Sequence, residues 1–124
     1  MARTRGFTLI ELLVVLAIVA LLLTLALPRY LGSAELAKER VLVENLRTTR
    51  DAIDKHFADR GRYPESLEVL VDRRYLRELP LDPVADSRTA WRIEPPPNGR
   101  MGGVYDLHSS ASGSSRDGRP FSEL

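Results

Sequence analysis

The chain has 124 residues, with 18 Lys and Arg against 17 Asp and Glu, for a net charge of +1. This length holds one small domain and excludes a multidomain enzyme and most nucleotide-binding folds. The near-neutral balance argues against a nucleic-acid partner, which normally leaves a basic excess. With no Cys in the chain, disulfides, Cys-ligated zinc and thiol catalysis drop out together. The N-terminal residues 1–6 carry Arg3 and Arg5 and no acid. From Leu12 to Leu27 only Thr24 is polar, and the run back to Phe7 is 21 residues, adding Thr8 and Glu11. As a helix that run is about 31 Å long, the thickness of a bilayer's hydrocarbon core. The 97 residues of 28–124 are long enough to translocate largely regardless of charge. The expected topology therefore leaves the N-terminus in the cytoplasm and the C-terminal region outside it. Hydropathy alone allows a cleaved signal peptide with small Thr24 and Ala26 ahead of a cut, a plain anchor, or a span with a task of its own. Glu11 favours the last, because an acid in a span costs on the order of 2.5–3.5 kcal/mol at the centre, less near the end, and asks for a partner.

The stretch Arg5-Gly6-Phe7-Thr8-Leu9-Ile10-Glu11, followed by Leu12-Leu13-Val14-Val15, resembles the class III signal of type IV pilins and type II secretion pseudopilins. The resemblance implies that a prepilin peptidase cuts between Gly6 and Phe7 and N-methylates the new N-terminal Phe7. Residues 1–6 are then a leader and the mature chain has 118 residues. The same resemblance implies that Glu11 neutralises the Phe7 amine of a neighbouring subunit. In a low-dielectric filament core that pairing would offset the desolvation of both groups and set the axial register.

Pro28 lacks an N–H and opposes the carbonyl of Thr24, so a kink or weak point is expected there, reinforced by Gly32. From Ala34 to Arg60 the pattern is amphipathic: Leu36, Val43, Leu46, Ile53 and Phe57 form a stripe that Leu42 widens. Gly61 ends the helix. Residues 7–60 thus form a spine of about 81 Å if straight, membrane-spanning over 7–27 and amphipathic over 28–60. Seven of eight Pro and six of eight Gly lie from Gly61 onward, which marks 61–124 as a small head of turns and short strands. Residues 66–75 read as a short helix with Leu67, Leu70 and Val71 on one face. Leu79-Pro80-Leu81-Asp82-Pro83 is irregular, and Pro95-Pro96-Pro97 is a stiff spacer. Trp91 with Ile93, and Val104, Tyr105 and Leu107, suggest two strands, with Trp91 and Tyr105 covering the spine. The expected class is α+β with a pilin-like fold, a long N-terminal helix packed on a small antiparallel sheet. Arg62-Tyr63-Pro64, residues 79–83 and the Gly-Gly-Val-Tyr-Asp-Leu stretch make the head similar to the major pseudopilin family of type II secretion.

That family carries a Ca²⁺ site in its C-terminal loop, built from carboxylates and backbone carbonyls. Here residues 109–118 offer Asp117 alone, with Asp106 close in sequence and Glu123 further on, while Arg116 and Arg119 add positive charge. A Ser/Gly loop closed by hydrogen bonds is the favoured reading, and a weak Ca²⁺ site on Asp106 and Asp117 the alternative; no other cofactor is expected. His56 and His108 are the only histidines. Neither sits in a metal-binding spacing, Ser109 beside His108 lacks a nucleophile elbow, and Gly102-Gly103 is not a phosphate loop. No enzymatic constellation stands out. The resemblance implies a homopolymer in the periplasm, started from a single-pass inner-membrane subunit, whose growth drives protein secretion. Its partners would be the prepilin peptidase, the inner-membrane platform with its ATPase, and minor pseudopilins. A type IV pilus subunit, pilin or minor pilin, is the structural alternative; a membrane-tethered periplasmic binding module or enzyme is the alternative of another class. Losing Arg3 and Arg5 would leave 16 basic and 17 acidic residues on the mature chain.

Overall fold

The computed structural model describes residues 5–124; of the expected leader, residues 1–4, Arg3 among them, lie outside the described residues. The order of elements is helix α1 (Leu9–Arg60), helix α2 (Leu67–Asp72), strand β1 (Arg92–Glu94), strand β2 (Asp106–His108) and a final 3₁₀ turn, Phe121–Glu123. This is the α+β, pilin-like architecture expected, one long N-terminal helix and a small antiparallel sheet. The chain divides into two units, Met1–Glu35 and Leu36–Leu124.

In the first unit, α1 begins at Leu9 rather than at Phe7, because Thr8 serves as its cap. The large apolar side chains from Phe7 to Leu27 are all exposed, so this stretch is long and apolar enough to cross a membrane and is not covered by the rest of the chain. The helix runs unbroken through Pro28 and Gly32. Pro28 has no N–H to give the Thr24 carbonyl, while the Thr24 hydroxyl donates to the Leu21 carbonyl at 2.6 Å.

In the second unit the buried face of α1 is Leu42, Leu46, Thr49, Ala52, Ile53 and His56. The alternating spacings of four and three from 42 to 56 follow the helical repeat. Val43, assigned to the stripe by the sequence pattern, is instead 49% exposed; Leu42 holds the position because its 42–46–49–53 row stays in phase with the buried surface. Thr49 is tolerated there because its hydroxyl donates to the Asn45 carbonyl at 2.7 Å. Gly61, at φ 70°, stops the helix, and its N–H donates to the Phe57 carbonyl at 2.8 Å, a left-handed glycine closing a helix end.

Helix α2 buries Leu67 and Leu70. It is shorter than the sequence pattern suggests: Arg74 takes a positive φ of 64°, and the Tyr75 and Leu76 N–H groups both turn back to the Leu70 carbonyl. Strands β1 and β2 pair antiparallel, with Arg92 opposite His108, Ile93 opposite Leu107 and Glu94 opposite Asp106. Trp91 is buried just ahead of β1, and its indole N–H donates to the Pro80 carbonyl at 2.9 Å. Trp91 joins the core with the spine residues as expected, but Tyr105 is 40% exposed and does not cover the spine; Leu107 and Val104 fill that role. Tyr105 stacks edge-on against Tyr63.

The buried Asp82 organises the Pro-rich segment. Its Oδ1 accepts the Val84 and Ala85 N–H groups at 2.9 and 3.0 Å, and its Oδ2 accepts the Ser109 hydroxyl. Residues 101–104 run against 63–64, with Tyr63 N–H on the Met101 carbonyl and the Gly103 and Val104 N–H groups on the Pro64 carbonyl.

Candidate assembly site

The N-terminal site is built by the first turn of α1. Glu11 Oε2 accepts the Thr8 N–H at 3.3 Å, and the Glu11 N–H donates to Thr8 Oγ1 at 3.2 Å. This reciprocal pair is a capping box, which satisfies two donors that a helix start leaves unmet. It also holds the Glu11 carboxylate at the positive end of the helix dipole. Phe7 lies just ahead of the cap and is 90% exposed, with Gly6 open around its Cα. The sequence reading isolated Gly6, Phe7 and Glu11 but missed Thr8. The signal was present, since Thr8-Leu9-Ile10-Glu11 has the Ser/Thr-x-x-Glu spacing of a capping box.

The second candidate region is the C-terminal loop. Asp117 Oδ1 accepts the Ser115 hydroxyl and the Arg119 N–H at 3.4 Å. The Ser115 hydroxyl bond, followed by the Arg119 N–H, holds the Asp117 carboxyl below its ordinary value. Asp106 faces elsewhere: its Oδ1 receives Arg50 Nε at 2.7 Å and the Leu107 N–H. Asp106 and Asp117 share no hydrogen-bond partner. The carbonyls of Gly113, Ser115 and Arg119 accept the main-chain N–H groups of Phe121, Gly118 and Ser115 respectively. A calcium ion takes six to eight oxygens. One carboxylate already holding two donors, flanked by Arg116 and Arg119, does not fit that ion.

Three side chains do converge on the sheet. Glu94, Asp106 and His108 each bring one oxygen or ring nitrogen within 4.8 Å of the others. His108 Nε2 lies 3.1 Å from Glu94 Oε2 and 3.7 Å from Asp106 Oδ2, while His108 Nδ1 is buried with no partner. A histidine that ligates a metal through one ring nitrogen usually donates from the other, and Asp106 is already paired with Arg50. The arrangement is therefore that of a hydrogen-bonded cluster across two strands. The sequence reading missed Glu94, because only the strand register sets it opposite Asp106.

A surface cleft of about 930 Å³ is lined by His56, Asp59, Arg60, Arg62, Tyr63 and their neighbours, with no Ser, Thr or Cys among the lining residues. The ring of His56 meets the Arg62 carbonyl at 2.9 Å, and Tyr75 donates to Asp59 at 2.6 Å. That bond to a carboxylate raises the Tyr75 phenol above its ordinary value. These contacts join side chains to the fold.

Comparison with known proteins agrees with the geometry at the N-terminus. The family described as "Prokaryotic N-terminal methylation motif" matches residues 1–27. A type II secretion system core protein G of Klebsiella pneumoniae is 34% identical over 99 residues, 67% of this chain and 71% of the relative. The core protein G of Aeromonas hydrophila is 32% identical over 97 residues, 65% and 68% of the two chains. A type IV major pilin of Myxococcus xanthus is 29% identical over 91 residues, covering 73% of this chain and 37% of the pilin. No solved structure matches the chain at the significance required. The methylation motif covers only residues 1–27, whereas the core protein G similarity extends well beyond it into the head, and on that ground the chain belongs to the family of type II secretion system core protein G, the pseudopilins.

Proposed function

We propose that the chain is cut between Gly6 and Phe7 by a prepilin peptidase, N-methylated at Phe7, and polymerised through residues 7–28 into a periplasmic pseudopilus that drives protein secretion. The observation that carries this reading is the Gly6-Phe7 junction set directly before a capped, uncovered apolar helix whose first turn holds Glu11. Such a surface is satisfied by lipid before assembly and by the same helix of other subunits afterwards. In this reading the subunit starts as a single-pass inner-membrane protein with a cytoplasmic N-terminus. Residues 28–60 continue the spine and 61–124 form the periplasmic head. Glu11 pairs with the Phe7 amine of a neighbour, and Pro28 with Gly32 gives the spine a yielding point. The platform, its ATPase and minor pseudopilins are the partners, and the role is mechanical rather than catalytic.

Mass spectrometry of the mature protein tests the processing step: an N-terminus at methylated Phe7 is expected, and an intact Met1 or a cut after Ala26 refutes it. Glu11→Ala is expected to insert into the membrane yet fail to enter fibres. The Myxococcus relative favours a second reading, a pilus subunit. Neighbouring secretion genes support the first and neighbouring pilus genes the second.

A further inference from the structure

Residues 109–120 form the loop in which the resemblance expects calcium and in which the donor set does not suit it. The loop is nonetheless closed at both ends. At its root, Ser109 is fully buried; its hydroxyl donates to the buried Asp82 and accepts the Ala111 N–H at 3.1 Å. At its tip, both oxygens of Glu39 on α1 accept the Arg116 N–H, at 3.0 and 3.3 Å. Between them, Ser114 bridges to Pro120 and Gly113 lies over the Phe121 ring, where an added Cβ would sit 3.5 Å from the ring edge.

A bound dication draws oxygens inward and needs the surrounding charge to be negative. In this loop the opposite polarity holds: main-chain N–H groups point at carboxylates, and two arginines accompany one acid. Charge-assisted bonds from N–H to carboxylate are among the stronger hydrogen bonds in a protein. A carboxylate arriving from the helix therefore supplies the tie that a metal would supply from within the loop.

We infer that Glu39 latches the C-terminal loop to helix α1, and Asp82 latches it to the rest of the head, in place of a divalent cation, so that closure of the loop is independent of calcium. This stands apart from the secretion reading, since it concerns the fold of one subunit and is read without any fibre.

Amide hydrogen exchange on the full mature chain in detergent micelles, followed by mass spectrometry, tests it. Peptides covering 109–121 are expected to show the same protection in CaCl₂ and in EGTA. Protection that appears with calcium, or falls with the chelator, overturns the inference. Glu39→Ala is expected to speed exchange around Arg116 by about tenfold or more, the scale of losing a hydrogen bond to a charged group, while 42–56 of α1 stays protected. Arg116→Ala keeps the main-chain donor and is expected to leave the loop closed. Unchanged exchange in Glu39→Ala, opening in Arg116→Ala equal to that in Glu39→Ala, or calcium rescue of Glu39→Ala would each refute the latch. Should Glu39→Ala unfold outright, the calcium–chelator comparison on the unaltered chain still decides the matter.

Discussion

Arg50 shows how much one side chain of α1 does for the head. Its Nε meets Asp106 Oδ1 at 2.7 Å, and its Nη2 donates to the carbonyls of Leu107 at 3.0 Å and Leu124 at 2.8 Å. The side chain is 35% exposed, so solvent screens part of the ion pair. Arg50→Met, which keeps the apolar stem, is expected to lower stability in urea by about 1–2 kcal/mol. Arg50→Lys is expected to recover little of it, because a single ammonium cannot reproduce the fork. Asp117 gives a prediction in pH. Its carboxyl is held low by the Ser115 hydroxyl and the Arg119 N–H, so these bonds support the fold above the ordinary aspartate value of about 3.9. Their contribution fades as pH falls through the lower folded value. In an NMR titration Ser115→Ala is expected to move Asp117 back up toward the ordinary value; an unmoved titration would remove the hydroxyl as the cause. The bonds at Asp117 are local and accord with the hydrogen-bonded Ser/Gly loop expected from sequence, but the contacts across the fold were not legible: Arg50 and Asp106 lie 56 positions apart, and Glu39 and Arg116 lie 77 apart. No local pattern links such pairs.

At the scale of elements, long periodic segments and terminators were legible and short ones were not. The end of α1 at Gly61 and the buried Leu67 and Leu70 of α2 follow from glycine chemistry and helical spacing. The choice between Leu42 and Val43 did not, because adjacent apolar residues both fit a broad stripe and only packing selects one. The structure therefore separates their substitutions. Leu42→Ala is expected to cost about 2–4 kcal/mol, and Val43→Ala to stay within about 0.5 kcal/mol in the same urea unfolding assay. Strands of three residues are too short to show alternation, which is why the second strand is expected from Val104 but runs only over Asp106–His108, and why Tyr105 is not the spine cover the pattern suggests. The close approach of two turns is a further element-scale constraint. A Cβ on Gly103 would come 2.2 Å from the Glu65 carbonyl oxygen, a main-chain atom that cannot step aside cheaply. Gly103→Ala is expected to destabilise the head by about 2 kcal/mol or more in calorimetry, whereas substitution at Gly6, which has open space, should leave head stability unchanged.

For the molecule as a whole, the decisive question is what Glu11 does once subunits meet, and the capping box provides a way to ask it. Within one chain Glu11 has two separable properties: an oxygen that accepts the Thr8 N–H, and a negative charge. Helix capping uses the first, since Gln serves at the same position of a capping box. Pairing with a neighbour's amine uses the second, since a neutral amide leaves that amine desolvated and unpaired, a costly state in a low-dielectric filament core. Glu11→Gln should therefore keep the start of α1 intact and still lose fibre incorporation. Thr8→Ala should do the reverse, costing about 0.5–2 kcal/mol of local helix stability while retaining much of the assembly. Sheared-fibre yield measures assembly, and amide exchange at residues 8–12 of the membrane-inserted subunit measures the cap. If Glu11→Gln assembles normally while Thr8→Ala does not, the carboxylate serves the helix start rather than the neighbouring subunit, and the axial register of the fibre must be set elsewhere.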